Sequence, residues 1–352
     1  MNDSARPAEI SQRPSAETET ENDVSAVHRL QSARTQLKQE ISRVVVGQEE
    51  ILDFLLIGLL CQGHVLLQGV PGLGKTLMAR SLARTLELDF KRVQFTPDLM
   101  PSDITGTDIL EEDQASGKHR VEFIPGPLFT NFLLADEINR TPPKTQAALL
   151  QAMQEREVSI GRKTYPLPPP FFVVATQNPI EMEGTYPLPE AQLDRFMFNL
   201  RVKYPSVDDE VAIIQGTTSL LTADPQAVLK PAELLRLQKL VRGVPIAEDV
   251  VRFAARLVVA TRPGESVEMP GIHKYIAYGA SPRASQFLVL GAKARAILAG
   301  RYHVDFNDIQ AMAAPVLRHR LILNFHARAD QIDSDTLTKR LLETVPTETP
   351  RN

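Results

Sequence analysis

A chain of 352 residues is long for one domain and comfortable for two, and 43% hydrophobic with 23% charged residues is the composition of a globular protein with a sizeable core. A net charge of −4 gives no global electrostatic reason to expect a nucleic-acid partner, although a local basic patch can hide inside such a total. Cys61 is the one cysteine, which excludes an intramolecular disulfide and a cysteine-built metal site.

Residues 1–27 are rich in Ser, Thr, Glu, Asn and Pro and predict a disordered polar tail, with no apolar segment of signal-peptide type. From Val27 to Ile57 apolar residues recur at helical spacing, interrupted at Gly47. The apolar run Ile51 to Cys61 is too short to span a bilayer, so a cytoplasmic chain is expected, with Cys61 a small buried residue of that helix. His64 to Gln68 reads as a buried strand and Lys75 to Leu88 as a helix. Residues 100–127 carry Gly106, Gly117, Gly126 and several prolines, which suggests an inserted hairpin with loops. Asn131 to Asp136 and Pro170 to Thr176 are two further buried strands, with a helix from Pro142 to Arg156 between them. Glu157 to Pro166 alternates around Gly161-Arg162 as a compact hairpin does.

Strands alternating with helices predict a parallel α/β sheet. After Pro205 the pattern is helical alone, with Pro231 to Val241, Ala247 to Thr261, Pro282 to Leu298, Phe306 to Leu321 and a last helix near Thr336 to Glu343. The expected organisation is a tail (1–27), an α/β nucleotide-binding core (28–204), a small all-helical domain (205–343) and a flexible C-terminus (344–352).

Gly69-Val70-Pro71-Gly72-Leu73-Gly74-Lys75-Thr76, followed by Leu77, matches G-x-x-x-x-G-K-[ST]. Glycines let the backbone wrap a phosphate closely with successive N–H groups pointing inward, and the helix that follows aims its positive end at the same anion. Lys75 reaches the β and γ phosphates of ATP, and the Thr76 hydroxyl is a ligand for Mg²⁺. The motif sits between a buried strand and an amphipathic helix, the context it requires.

Phe132-Leu-Leu-Ala-Asp136-Glu137 is an apolar strand that ends in two acids, and in parallel sheets such ends open into the ligand crevice. Asp136 suits the metal and Glu137 suits the activation of an attacking water. Alone, such a pair is as readily a solvated turn; some 60 residues after the phosphate loop it is a strong sign. Asn178 ends the strand Val173-Val-Ala-Thr176-Gln177-Asn178, where its amide could meet the lytic water or the γ-phosphate, or simply begin an Asn-Pro turn.

The order of loop, Asp136-Glu137 and Asn178 resembles Walker A, Walker B and sensor 1 of AAA+ ATPases. Several phrases resemble the MoxR branch: Val45-Val46-Gly47-Gln48, Glu137-Ile-Asn-Arg140-Thr-Pro-Pro-Lys144-Thr-Gln146, Ala175-Thr-Gln-Asn-Pro179, Glu190-Ala-Gln-Leu-Asp194-Arg195-Phe196, Ser281-Pro-Arg283-Ala and Val316-Leu-Arg-His-Arg320. The resemblance spans about residues 28–340. One departure is mild: many MoxR loops carry Ala or another residue where this one has Gly74. The resemblance implies an AAA+ P-loop parallel-sheet core with a helix insert and a pre-sensor hairpin, then a small all-helical lid. It also implies Arg195 as arginine finger, Arg283 as sensor 2 and Val46-Gly47-Gln48 beside the adenine. From the residues alone, an Arg after Leu-Asp is far more often a surface ion pair, so the roles of Arg195 and Arg283 rest on the resemblance, and Arg140 and His319 read as solvated or packing residues.

The expected function is hydrolysis of ATP with Mg²⁺ by a ring-forming homo-oligomer, a hexamer by the resemblance, coupled to remodelling of a partner protein. That partner would be a von Willebrand factor A domain protein or another client, and no membrane span is expected. A magnesium-chelatase-like ATPase subunit and a nucleic-acid motor of the branch-migration type are the alternatives. The MoxR phrases count against the first, and the acidic balance and lack of a DNA-binding segment against the second.

Overall fold

The computed structural model describes residues 16–112, 119–180, 184–218, 224–265 and 269–347. Helices α1 (Ala16–Ser42) and α2 (Glu49–Leu60) precede β1 (Val65–Gln68), α3 (Lys75–Thr85) and β2 (Phe90–Gln94). Then come α4 (Pro101–Thr105), the hairpin β3 (Gly106–Glu112) and β4 (His119–Pro125), β5 (Phe132–Asp136) and α5 (Pro143–Glu155). A second hairpin, β6 (Glu157–Ile160) and β7 (Lys163–Pro166), leads to β8 (Phe172–Gln177), α6 (Glu190–Leu193) and β9 (Phe198–Arg201). Beyond β9 lie α7 (Val207–Thr217), α8 (Pro231–Gly243), α9 (Glu248–Val259), α10 (Pro270–His273) and β10 (Ile276–Tyr278). The chain continues through α11 (Pro282–Leu298), α12 (Phe306–Leu317), β11 (Ile322–Leu323), α13 (Phe325–Ala329) and α14 (Ser334–Thr344).

The main sheet has the order β2-β5-β8-β1-β9, and every pairing in it is parallel. Its central strands are apolar up to their polar carboxyl ends, as strands buried on both faces are. Successive side chains alternate between those faces. Val65, Leu67, Leu134, Phe172 and Val174 enter a core shared with the N-terminal helices and the second domain. Leu66, Leu133, Ala135, Val173 and Ala175 enter a separate core with Leu149 and Met153 of α5. Phe132 and Phe172 meet edge to face at 5.1 Å between neighbouring strands.

Several elements depart from the sequence reading. Helix α1 begins at Ala16, inside the stretch expected to be a disordered tail; residues 1–15 lie outside the described chain. From Val27 on, Leu30, Ala33, Leu37 and Ile41 are all buried at helical spacing, so a packed stripe anchors the helix. Strands β2 and β9 carry no clear period: β2 is an edge strand with Val93 its one buried residue, and β9 has four residues. The second domain is not helical alone, since β10 and β11 form a two-stranded antiparallel pair. The expected turn at Gly117 and the end of the expected flexible C-terminus, 348–352, fall outside the described residues.

His64, just before β1, ties three core elements together. Its Nδ1 accepts from the Val173 N–H at 3.0 Å, so the proton sits on Nε2, which reaches the Met153 carbonyl at 3.1 Å. Burial pushes its pKa down to about 4, with the Met153 bond opposing weakly. Between pH 6.5 and 4 the unfolded chain therefore binds a proton that the folded chain refuses, and stability falls as pH falls. Urea unfolding at pH 7 and pH 5 is expected to show a loss of about 2 kcal/mol from this residue. The pH dependence should flatten by that amount in His64→Asn. An equal slope in both proteins would show that His64 protonates freely in the fold.

Candidate active site

The loop after β1 turns at Gly72 (φ +87) and Gly74 (φ +72), a region that L side chains rarely adopt. A Cβ at either would meet nothing within 4 Å, so the demand there is conformational. Gly69 is constrained by space instead, because a Cβ would lie 3.0 Å from that of Val202. Lys75 opens α3 and curls back, donating to the Gly69 and Val70 carbonyls at 2.7 Å each. Burial lowers its pKa, and the fields of Asp136 and Glu137 oppose that, so the ammonium faces both acids. Thr76 is half-buried in the first helical turn, while Leu77 points outward.

Asp136 ends β5 and is 8% exposed. Its Oδ1 accepts from the Thr176 hydroxyl at 2.6 Å, and that same hydroxyl accepts from the Glu137 N–H at 2.8 Å. One side chain of β8 thus fixes both acids of β5. From the other neighbour, β2, Arg92 donates to Asp136 Oδ2 through Nε at 3.0 Å and Nη2 at 2.7 Å. Glu137 has φ +57 and ψ 48, a left-handed conformation that turns the chain sharply out of the strand. Its Oε2 accepts from Gln94 at 2.7 Å and from Arg140 at 3.0 Å. Arg140 is therefore not merely solvated or packed, as its sequence position suggests, but bonded to the candidate base. Asn178 is buried just past β8, with Oδ1 accepting from the Ile180 N–H at 3.2 Å in a local turn.

Gly47 and Gln48 meet the segment that follows β9. Gln48 donates to the Lys203 carbonyl at 3.2 Å, one residue beyond the Val202 that packs on Gly69. Gly47 has φ +72, and a Cβ there would sit 2.7 Å from an Asp209 oxygen of α7.

The segment after α6 meets the second domain at Asp194. The buried Arg320 guanidinium donates to Asp194 Oδ1 at 2.7 Å and to the carbonyls of Asp194 at 2.9 Å and Phe196 at 2.6 Å. Burial lowers the Arg320 pKa to about 10 against the pull of Asp194. Ser281 donates to the same carboxylate at 3.1 Å, and Arg283, at the start of α11, approaches it at 3.5 Å. The adjacent Arg195 is half-exposed, and among the described residues its guanidinium has no hydrogen bond or ion pair. His319 is buried with Nε2 on the Phe196 carbonyl at 3.0 Å, and burial holds it neutral, which is a packing role.

The ATPase family associated with various cellular activities (AAA) matches residues 64–198, and the AAA lid domain matches residues 268–341. Over 310 residues the chain is 47% identical to chaperone MoxR1 of Mycobacterium tuberculosis, covering 87% of this chain and 80% of that one. The chain belongs to the MoxR family of AAA+ ATPases. Protein MoxR of Paracoccus denitrificans is 36% identical over 300 residues, 81% of this chain and 87% of its own. A crystal structure described as a candidate ATPase from Cytophaga hutchinsonii superposes with a TM-score of 0.84 at 41% identity, over 94% of this chain and 99% of that one. As a MoxR-family AAA+ protein, this chain is a nucleotide-binding, ATP-hydrolysing enzyme.

The residues present suit magnesium. Among the described residues no group of three or more His, Cys, Asp or Glu could form a metal cage, and the donors at hand are one buried carboxylate, Asp136, and the Thr76 hydroxyl. Mg²⁺ takes that pattern, since it keeps waters and shares its shell with substrate phosphates.

The sequence points to the loop, both acids and Asn178, and to no role for Thr176, Arg92, Gln94 or Arg320. Thr176 and Arg320 lie in phrases of MoxR character, which is their one signal in the sequence; Arg92 and Gln94 sit on an edge strand without a clear period. Arg320 gives a direct test of the domain seam. Asp194→Ala leaves a guanidinium buried without its carboxylate and should cost about 3–5 kcal/mol in urea unfolding. A loss under 1 kcal/mol would mean that the carbonyls alone satisfy Arg320.

Proposed function

We propose that this MoxR protein hydrolyses ATP with Mg²⁺ at the interfaces of a homo-oligomeric ring, by the resemblance a hexamer, and uses the turnover to remodel a partner protein. The observation that carries the reading is that Lys75, just past β1, faces Asp136 and Glu137 at the end of β5, the two strands each flanking β8, with Arg195 unpaired among the described residues. The backbone from Gly69 to Thr76 would cradle the phosphates. Val46 to Gln48 would border the adenine. Lys75 would leave its own loop carbonyls for the β and γ phosphates, and Thr76 with Asp136 would hold the metal. Magnesium held there would supply positive charge against the charge that develops on the phosphates. Glu137 would take a proton from the attacking water while Asn178 orients it. Arg283 would report nucleotide to the lid.

The chaperone label of the 47% identical relative supports work on a protein client. MoxR resemblance favours a von Willebrand factor A domain protein as that client. The proposed site of action is the cytoplasm, and no helix of the described residues is long and apolar enough to cross a membrane.

Lys75→Ala should abolish nucleotide binding, whereas Glu137→Gln should bind ATP and lose about 10² to 10⁴ in turnover. Equilibrium binding of a labelled nucleotide beside a phosphate-release assay separates the two; ordinary turnover in Glu137→Gln would remove it as the base.

Arg195 should act on the neighbour's ATP, because a finger arginine stabilises charge on the transferring phosphoryl group and lies across the interface. Arg195→Ala protomers keep a whole site but lack a finger; Glu137→Gln protomers have the reverse defect. Each alone should be nearly inactive, and mixing them should restore ATPase activity once fluorescence transfer shows subunit exchange. A mixture that exchanges freely and stays inactive would mean that Arg195 does not work in trans.

A further inference from the structure

The bond that Arg92 makes to Asp136 is placed where a metal would compete for it. Asp136 offers two oxygens. Oδ1 is committed to the Thr176 hydroxyl, which is 1% exposed and fixed between strands, so that side of the carboxylate is internal. Oδ2, among the described residues, takes both of its bonds from the Arg92 guanidinium, at 3.0 and 2.7 Å. Lys75 bonds its own loop carbonyls, so Arg92 is the cation bonded to Asp136.

The two partners differ in mobility. The Asp136 side chain is 12% exposed and that of Arg92 is 45% exposed. Arg92 also stands on β2, the edge strand of the sheet, where a long side chain can swing outward without disturbing either core. Its remaining bond, Nη2 to Gln94 Oε1 at 2.8 Å, gives it a place to rest on its own strand. A guanidinium and a divalent cation that share Oδ2 repel each other, so each weakens the other's hold on that oxygen.

We propose that Arg92 is the resident cation of the metal position: it holds Asp136 in the nucleotide-free protein, nucleotide-bound magnesium displaces it, and it thereby sets how much magnesium the site requires. This rests on the reading of Asp136 as a metal-site residue. Arg92 is a positioning residue, acting on the metal through Asp136. Its presence keeps the two adjacent acids from facing each other unneutralised, and its departure frees Oδ2 for the metal shell.

The experiment measures nucleotide binding to the full chain as a function of magnesium, without turnover. A fluorescent non-hydrolysable ATP analogue is followed by anisotropy, its own label serving as probe because the chain has no tryptophan. Wild type, Arg92→Ala and Arg92→Lys are titrated with MgCl₂, and Arg92→Gln replaces the alanine variant if thermal melts show that one to be poorly folded. A half-exposed, charge-assisted pair predicts that the half-saturating magnesium concentration falls about threefold to tenfold in Arg92→Ala and less in Arg92→Lys. Affinity without metal should not improve, since a positive charge has been removed. A generally damaged site would weaken binding with and without metal alike, and that result, or an unchanged or raised magnesium requirement, overturns the proposal. If wild type itself binds the analogue equally with and without magnesium, the metal reading of Asp136 fails too; a magnesium-dependent wild type with an unshifted Arg92→Ala overturns the role of Arg92 alone.

Discussion

Leu66 lies opposite Ala175 and Leu134 opposite Val174, which sets β1, β8 and β5 parallel and adjacent, so that their carboxyl ends finish side by side. Burial of these residues on both faces of the sheet holds that register, because a slip of one residue would exchange the two cores. The phosphate loop leaves the end of β1, the acids end β5 and the buried amide follows β8. Three stretches far apart in the chain share one crevice for that reason alone. The chemistry of the site is thus a consequence of apolar packing beneath it.

Within that frame, the polar groups at the strand ends are matched across the ladder. Thr176 follows Ala175, the partner of Ala135, and so faces Asp136. Gln94 pairs in register with Asp136 and its side chain reaches Glu137. Asp136 is therefore held from both neighbouring strands, and the Glu137 carboxylate from β2 and from Arg140 just beyond its own strand. Such support from neighbouring strands holds a catalytic group more closely than a loop would.

The seam between the domains uses a different device. Arg320 is buried almost completely, and it is tolerated because one carboxylate and several carbonyls take its N–H groups. Removal of either partner from such a pair leaves the other charge uncompensated. Arg320 fastens the lid to the residue immediately before Arg195. Helix α1 adds an apolar tie, since its buried stripe joins the same core as α3 and α11. The segment that carries Arg195 is consequently anchored to the lid and to the sheet together.

The apolar runs of β1, β5 and β8, the glycines of the loop and the paired acids all announce themselves in the sequence, because each demands a residue type at a fixed spacing. The parallel core, its hairpins and five of the later helices follow from such local signals. β2 and α1 do not: β2 is a polar edge strand whose period is masked, and the buried stripe of α1 begins only after a polar stretch that reads as a tail. Arg92, Gln94 and Thr176 carry no motif that points to Asp136 and Glu137, for their meaning lies in which strand neighbours which. Asp194 and Arg320 are 126 residues apart, and that pairing exists only once the lid has folded back onto the core. Sequence determines what local backbone geometry and hydrophobic period require; the partners of a charged side chain are decided by the fold, since a charge accepts whichever opposite group the packing brings within reach.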